Sequence, residues 1–174
     1  MGIEDGIKDK MKGELTITQR VAMYIPGYRG YREKNLRRDE DRAVRQELSR
    51  NIQGTKADLA NIHRGLIGTD LMSDVEMIRT KVDRYDTDIK KAVNGYSAFH
   101  ASVKVTEDDL DRIVHWDAKI MDDIQDMRKA TAELLKSVDE GLDCKAAVRE
   151  YERGIDALIE DYNQREAVMK GIKE

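Results

Sequence analysis

The stretch that decides the fold is residues 110–138, which read LDRIVHWDAKIMDDIQDMRKATAELLKSV. Its apolar residues recur at alternating steps of three and four, the spacing that lines one face of an α-helix. That seam runs through Leu110, Ile113, Asp117, Ile120, Ile124, Met127, Thr131, Leu134 and Val138. Its one charged member is Asp117, and a charge in an apolar seam is destabilising unless another group pairs with it. The stretch therefore predicts a long amphipathic helix with a polar partner facing Asp117.

Three further stretches have the same spacing. The first runs from near Gly30 to Gly68, with its clearest seam at Leu48, Ile52, Thr55, Leu59, Ile62 and Leu66. The second has Val75, Ile78, Val82, Tyr85, Ile89, Ala92, Tyr96, Phe99 and Val103, and the last has Val148, Tyr151, Ile155, Leu158, Tyr162, Arg165, Met169 and Ile172. Four helices of about 28–37 residues each are expected. The predicted fold is all-α: an antiparallel bundle of four long helices with coiled-coil-like packing over 25–174, preceded by an N-terminal amphipathic arm over 1–24.

Local signals place the helix ends. Ser73 and Glu76 have the spacing of a capping box before the second seam. Thr106 is an N-cap candidate because three acidic residues follow it and complement the helix dipole. Gly141 ends the third helix, and the fourth starts near Asp143.

Composition narrows the class of protein. The chain has 174 residues, of which 38% are charged, and it contains one proline and one cysteine. Its net charge is −4, but residues 1–68 carry 14 Lys and Arg against 10 Asp and Glu, so the other residues are strongly acidic. The two parts can attract each other within one fold, and the overall acidity disfavours nucleic acid as a partner. Lone Cys144 excludes an internal disulfide and a cysteine zinc site. With no apolar segment long enough for a signal peptide or a membrane span, a cytoplasmic protein is expected.

The antiparallel hairpin about Gly141 gives Asp117 a predicted partner. Residues equally far from a tight turn lie at the same height, and Asp117 and Arg165 each lie 24 positions from Gly141. Both occupy seam positions. A guanidinium can bind both carboxylate oxygens, so we expect the two side chains to pair.

Reflection across the first two predicted turns, near residues 69–70 and 104–105, brings Arg45 within about half a turn of Asp117, with Asp41 and Arg38 further toward the bundle end. Three interpretations follow. The favoured one is a buried ion-pair network that fixes helix register. The second is an anion or ligand pocket lined by Arg38, Arg45 and Arg165 beside Asp117. The third is an exposed cluster with little effect on stability.

The segment Ile25-Pro26-Gly27-Tyr28-Arg29-Gly30-Tyr31 predicts a structural turn built on Pro26, Gly27, Tyr28, Gly30 and Tyr31. We expect the two tyrosine rings to cover the open end of the bundle while their hydroxyl groups reach water. The nearby arginines could bind phosphates, but the acidic residues that follow favour a solvated helix start.

The arm carries Ile3, Ile7, Met11 and Leu15 at steps of four. This apolar stripe could lie on a membrane surface, dock on the bundle or contact a second copy. Acidic neighbours offset its lysines and weaken attraction to anionic lipid.

The string IPGYRGYREKNLRRDEDRAVR, with Gly95-Tyr96-Ser97 and Trp116-Asp117, resembles a family of small helical prokaryotic proteins to which no function is attached. The shared pattern is I-P-G-Y-x-G-Y followed by R-R-x-x-D-x-x-x-R, here Arg37, Arg38, Asp41 and Arg45. The resemblance implies a helical fold and supplies no activity that could be carried over to this chain.

Enzymatic motifs are missing from the sequence. It has no Glu-x-x-His pair for a di-metal bundle, no glycine-rich phosphate loop and no nucleophile elbow. We therefore predict no catalytic residues, no metal and no cofactor. The expected function is an interaction or scaffold module that binds a protein partner or itself, with anion binding at the arginine layer and peripheral membrane association as alternatives.

Overall fold

The computed structural model describes residues 15–33, 37–95 and 106–171. The helices in these ranges are α1 (Ile17–Ala22), α2 (Arg37–Gly65), α3 (Met72–Gly95), α4 (Glu107–Asp139) and α5 (Lys145–Gly171). The described chain contains no strand, which confirms the all-α bundle. Several seam residues predicted for the second and last helices, namely Tyr96, Phe99, Val103 and Ile172, lie outside the described residues.

The predicted seams form the core where the structure describes them. Along α4, every seam position from Leu110 to Leu134 is buried, including Asp117. Thr106 caps this helix as predicted: its hydroxyl accepts from the backbone N–H of Asp109, and the Asp109 carboxylate accepts from the N–H of Thr106. The start of α4 and its buried face are therefore those that the cap and the seam predict.

Two predicted helix starts are wrong. The helix expected from near Gly30 begins in the described chain at Arg37, because Gly30 has a positive φ of 76° and the backbone turns there. The capping box at Ser73 does not form, since α3 already includes Met72. Glu76 instead contacts Arg79 and His63.

The four long helices form two antiparallel hairpins that pack side by side. Across the α2–α3 hairpin, the Ser49 hydroxyl donates to Asp86 at 2.8 Å. Within the α4–α5 hairpin, Thr131 Oγ1 lies 3.1 Å from the Tyr151 hydroxyl. The first pair is centred on residues 67–68, about two residues before the predicted turn, and the second is centred on residue 141, as predicted.

The two hairpins are joined through parallel neighbours. α2 packs on α4, and α3 packs on α5, while α3 and α4 lie across the bundle from each other. Arg128 Nη1 donates to Asn51 Oδ1 at 3.3 Å between α2 and α4. Lys81 of α3 contacts Glu152 of α5 at 2.8 Å. The prediction that helices joined by a short connection are antiparallel neighbours holds for α2–α3 and for α4–α5, but α4 does not pack beside α3.

The segment before α2 crosses one end of the bundle. α1 packs on α4, and its Val21 is fully buried. Gly27 and Gly30 have φ angles of 84° and 76°, a region that side chains disfavour, so the turn needs glycine at both positions. This turn directs Tyr28 and Tyr31 into the bundle. The described part of the predicted arm thus lies against the helices, while Ile3, Ile7 and Met11 lie outside the described residues.

Candidate functional site: a buried charged layer

A layer of charged and phenolic side chains crosses the bundle near the Tyr28–Tyr31 turn. We call it the charged layer; it consists of Tyr28, Tyr31, Asp41, Arg45, Asp117, Tyr162, Arg165 and Glu166. The turn before α2, helix α2, helix α4 and helix α5 each contribute to it. Arg45, Asp117 and Arg165 have no exposed surface.

Arg165 lies at the centre of the charged layer. Its Nε donates to Asp117 Oδ1 at 2.5 Å, which is the pair predicted from the register. Nη2 lies 2.8 Å from Asp41 Oδ1, and Nη1 lies 3.1 Å from Glu166 Oε1. One guanidinium therefore joins carboxylates from three helices.

Arg45 forms the second half of the charged layer. Its Nε contacts Asp41 Oδ2 at 3.0 Å, one turn earlier on α2. Its Nη2 contacts Glu166 Oε1 at 2.7 Å, and its Nη1 donates to the Tyr162 hydroxyl. Asp41 and Glu166 each bridge Arg45 and Arg165, so the two arginines share their anionic partners.

The tyrosines of the turn complete the coordination of Asp117. Tyr28 and Tyr31 donate their hydroxyl hydrogens to Asp117 Oδ2 at 2.8 and 2.6 Å. Tyr31 Oη also accepts from Arg165 Nη2 at 2.9 Å. The expectation that these hydroxyls reach water is wrong: the turn places them inward because Asp117 offers a buried acceptor.

Electrostatics keep each group in the state that these contacts need. Burial, and next the charge of Asp117, raise the pKa of both Tyr28 and Tyr31, so the phenols stay neutral donors. Burial would lower the pKa of Arg165, but Asp117, Tyr31, Asp41 and Glu166 together outweigh it and the pKa is raised. For Asp41, burial is opposed by Arg165 and Arg45, which together lower its pKa.

The predicted site residues are only partly brought together. Arg45, Asp117 and Arg165 meet as expected, whereas Arg38 is exposed on the outer face of α2. Sequence reasoning missed Glu166, because it lies beside the seam position of Arg165 rather than in the seam. Tyr162 was assigned only to the core, although its position one turn before Glu166 on α5 could have suggested the contact with Arg45.

The charged layer is closed to further ligands. Each of the three nitrogens of Arg45 and of Arg165 has an oxygen partner from the chain itself. Two guanidinium groups face the carboxylates of Asp41, Asp117 and Glu166, so the formal charge of the layer is negative. An entering anion would have to displace a bound carboxylate within a site of its own sign.

In the ranges that the structure covers, no three His, Cys, Asp or Glu side chains are grouped so that they could hold a metal ion. His115 Nδ1 lies 2.8 Å from the Asp111 carbonyl of its own helix. Among the described helices, none combines the length and the apolar character that crossing a membrane requires.

Comparison with known proteins gives no match: no family model, no curated protein and no solved structure matches the chain. The resemblance carried by the I-P-G-Y-x-G-Y segment therefore stays a prediction. The interpretation of the charged layer depends on its geometry alone.

Proposed function

We propose that the protein is a non-enzymatic helical-bundle module that acts as a scaffold or binds a protein partner. The observation that carries this proposal is the closure of the charged layer. Arg45 and Arg165 use all their nitrogens on Asp41, Asp117, Glu166 and phenolic oxygens, which suits a role in fixing helix register. The same closure disfavours anion recognition at the layer.

Exposed apolar side chains at the opposite end of the bundle support the interaction role. The α2–α3 and α4–α5 connections lie there. Ile67 in the first is 63% exposed, and Leu142 in the second is 56% exposed. Gly65 and Val138 pack closely at this end, which brings the two connections near each other. Exposed apolar side chains that lie near each other favour contact with another protein.

Affinity capture of partners tests the proposal. The tagged full chain is incubated with native lysate beside a variant carrying Ile67→Ser and Leu142→Ser, with Arg38→Ser as an exposed polar control. We expect one or more proteins, or the untagged chain itself, to be retained stoichiometrically by the wild type and by Arg38→Ser. Retention should fall at least about tenfold in the double variant, as for loss of an apolar anchor. Absence of any stoichiometric partner would contradict the interaction role.

A thermal-shift screen addresses the anion-binding alternative. Phosphate, sulfate and citrate are added to the wild type, to the Arg45→Lys variant and to Arg38→Ala as the exposed control. We expect no anion-specific stabilisation, because the charged layer is occupied by its own carboxylates. Saturable stabilisation of the wild type by one anion, lost in Arg45→Lys, would replace the scaffold proposal.

Flotation with vesicles addresses the membrane alternative. The full chain and a variant lacking residues 1–15 are mixed with vesicles that contain phosphatidylserine. We expect neither protein to float, since acidic residues offset the lysines of this segment. Flotation of the full chain alone would support peripheral membrane binding in place of the scaffold role.

A further inference from the structure

A second group of carboxylates lies between α4 and α5, outside the charged layer. Asp123 projects from α4, and Asp161 projects from α5. Their side chains are only 20% and 13% exposed. Lys119 contacts Asp161 Oδ2 directly, and its Nζ lies 3.9 Å from Asp123 Oδ1. One ammonium group therefore serves two partly buried carboxyl groups.

One oxygen of this pair lacks a hydrogen-bond donor. Among the described residues, Asp123 Oδ2 is buried with no hydrogen-bond partner. The carboxyl groups of Asp123 and Asp161 share the Lys119 ammonium group as a neighbour, which brings the two acids together at the α4–α5 interface. Ionised carboxylates only accept hydrogen bonds, so two of them facing each other leave this contact without a donor. A single proton on either group would supply the missing donor.

The surrounding charges favour that proton. On α4, Asp126 adds a negative charge, and Asp122 is already bound at 2.5 Å by Arg20 of α1. From α5, the facing group is Asp161 itself. The single positive charge of Lys119 therefore cannot balance the negative charges of Asp123, Asp161 and Asp126 when all three are ionised. Burial, and next the hydrogen bond with Asp161, raise the pKa of Asp123 to about 7.

We propose that Asp123 and Asp161 form a proton-binding pair that stabilises the α4–α5 interface when it holds one proton and destabilises it when both groups are ionised. The direction of the pH effect follows from linkage. An unfolded aspartate has a pKa of about 3.9, so the folded chain binds the extra proton more tightly than the unfolded chain. Stability therefore falls as the pH rises toward the folded pKa of about 7 and levels off above it.

Chemical unfolding of the full chain at several pH values tests this proposal. Wild type is compared with Asp123→Asn, in which the amide supplies the donor at every pH. The control is Asp139→Asn, an exposed position on the same helix. Between about pH 5.5 and about pH 8.5, the folding equilibrium constant of the wild type should fall about tenfold or more relative to Asp123→Asn, since one pKa unit corresponds to a factor of ten. Asp139→Asn should follow the wild type.

Parallel pH profiles for the wild type and Asp123→Asn would overturn the proposal. Carbon-13 NMR of the aspartate carboxyl groups in the folded wild type gives a second readout that does not depend on the variant. We expect one carboxyl resonance to titrate near neutrality and to be absent in Asp123→Asn. Titration of every aspartate carboxyl in the acidic range would also overturn the proposal.

Discussion

Asp117 is stable inside the bundle because both of its oxygens are occupied by donors. Arg165 Nε binds Oδ1, and the Tyr28 and Tyr31 hydroxyls bind Oδ2. The guanidinium supplies the opposite charge, while the phenols add hydrogen bonds without adding charge. A buried carboxylate is tolerated under these conditions, although each ion on its own would be costly to bury.

Removing the Asp117 carboxylate should therefore leave the buried Arg165 guanidinium without one of its anionic partners. We expect Asp117→Ala to lower the free energy of unfolding by about 3–5 kcal/mol, measured by urea unfolding at neutral pH. Asp111→Ala is the control on the same helix, because Asp111 is more than half exposed and lies 3.7 Å from an exposed Arg32. That change should cost less than about 0.5 kcal/mol. Equal effects of the two substitutions would contradict the role assigned to Asp117.

Removing the hydroxyl group should change the stability of the chain in different directions at Tyr31 and at Tyr85. Tyr31 Oη donates to Asp117 and accepts from Arg165, so Tyr31→Phe should destabilise the chain by about 1–3 kcal/mol. Among the described residues, Tyr85 Oη is buried without a hydrogen-bond partner. Tyr85→Phe should therefore be neutral or stabilising by about 1 kcal/mol. Thermal unfolding of both variants checks the contrast, and a destabilised Tyr85→Phe would contradict it.

At the scale of the elements, two glycines of α2 differ in what a side chain would meet. A Cβ at Gly54 would meet no atom within 4 Å, whereas a Cβ at Gly65 would lie 2.3 Å from Val138 Cγ1. Glycine within a helix is disfavoured relative to alanine because it loses more backbone entropy. A substitution at Gly54 therefore reports helix propensity alone, whereas a substitution at Gly65 also reports the close packing of α2 against α4.

Alanine substitutions should have opposite effects at these glycines. Gly54→Ala should stabilise the chain by about 0.5–1 kcal/mol through helix propensity. Gly65→Ala should destabilise it by about 1–3 kcal/mol, because Val138 must move away from the new methyl group. Urea unfolding of the two variants measures both effects. Stabilisation by Gly65→Ala would mean that α2 and α4 are not in close contact at this end.

The sequence predicts individual helices and their register better than their arrangement. The seam spacing identifies the buried face of α4, and counting from Gly141 places Asp117 beside Arg165, because helical rise and a tight turn determine both. The position of α3 across the bundle from α4 has no comparable local signal, since it depends on how the two hairpins pack. The inward tyrosine hydroxyls depend on the same three-dimensional arrangement.

At the scale of the whole molecule, buried carboxylates join separate helices. We therefore expect the free energy of unfolding to depend on pH in the acidic range. The pKa of Asp86 is lowered: burial opposes ionisation, but hydrogen bonds from Lys56, Lys90 and Ser49 outweigh it. The pKa of Asp41 is also lowered. Groups of this kind stabilise the fold above their unfolded pKa of about 3.9, and that contribution is lost as the pH falls through the folded pKa.

The Asp86→Asn variant tests this acid dependence. At neutral pH it should be less stable than the wild type, because Ser49 and the two lysines lose their anionic partner. The difference should shrink as the pH falls below about 4, where the wild-type carboxylate also becomes protonated. Urea unfolding across this range measures it, with exposed Asp88→Asn as the control. A difference that stays constant down to about pH 2 would contradict the assignment.

The span of the charged layer along the chain has a consequence for synthesis on the ribosome. Arg45 and Glu166 are 121 positions apart, and Tyr31 and Arg165 are 134 apart. At roughly 5–20 residues per second, Arg45 emerges about 6–24 s before its partner on α5. During this interval Asp41 lies one turn away from Arg45 on α2. The nascent helix can therefore pair the Arg45 guanidinium with the Asp41 carboxylate before α5 is made. The contacts of the charged layer that fix the register of the helices can form only after α5 has been synthesised.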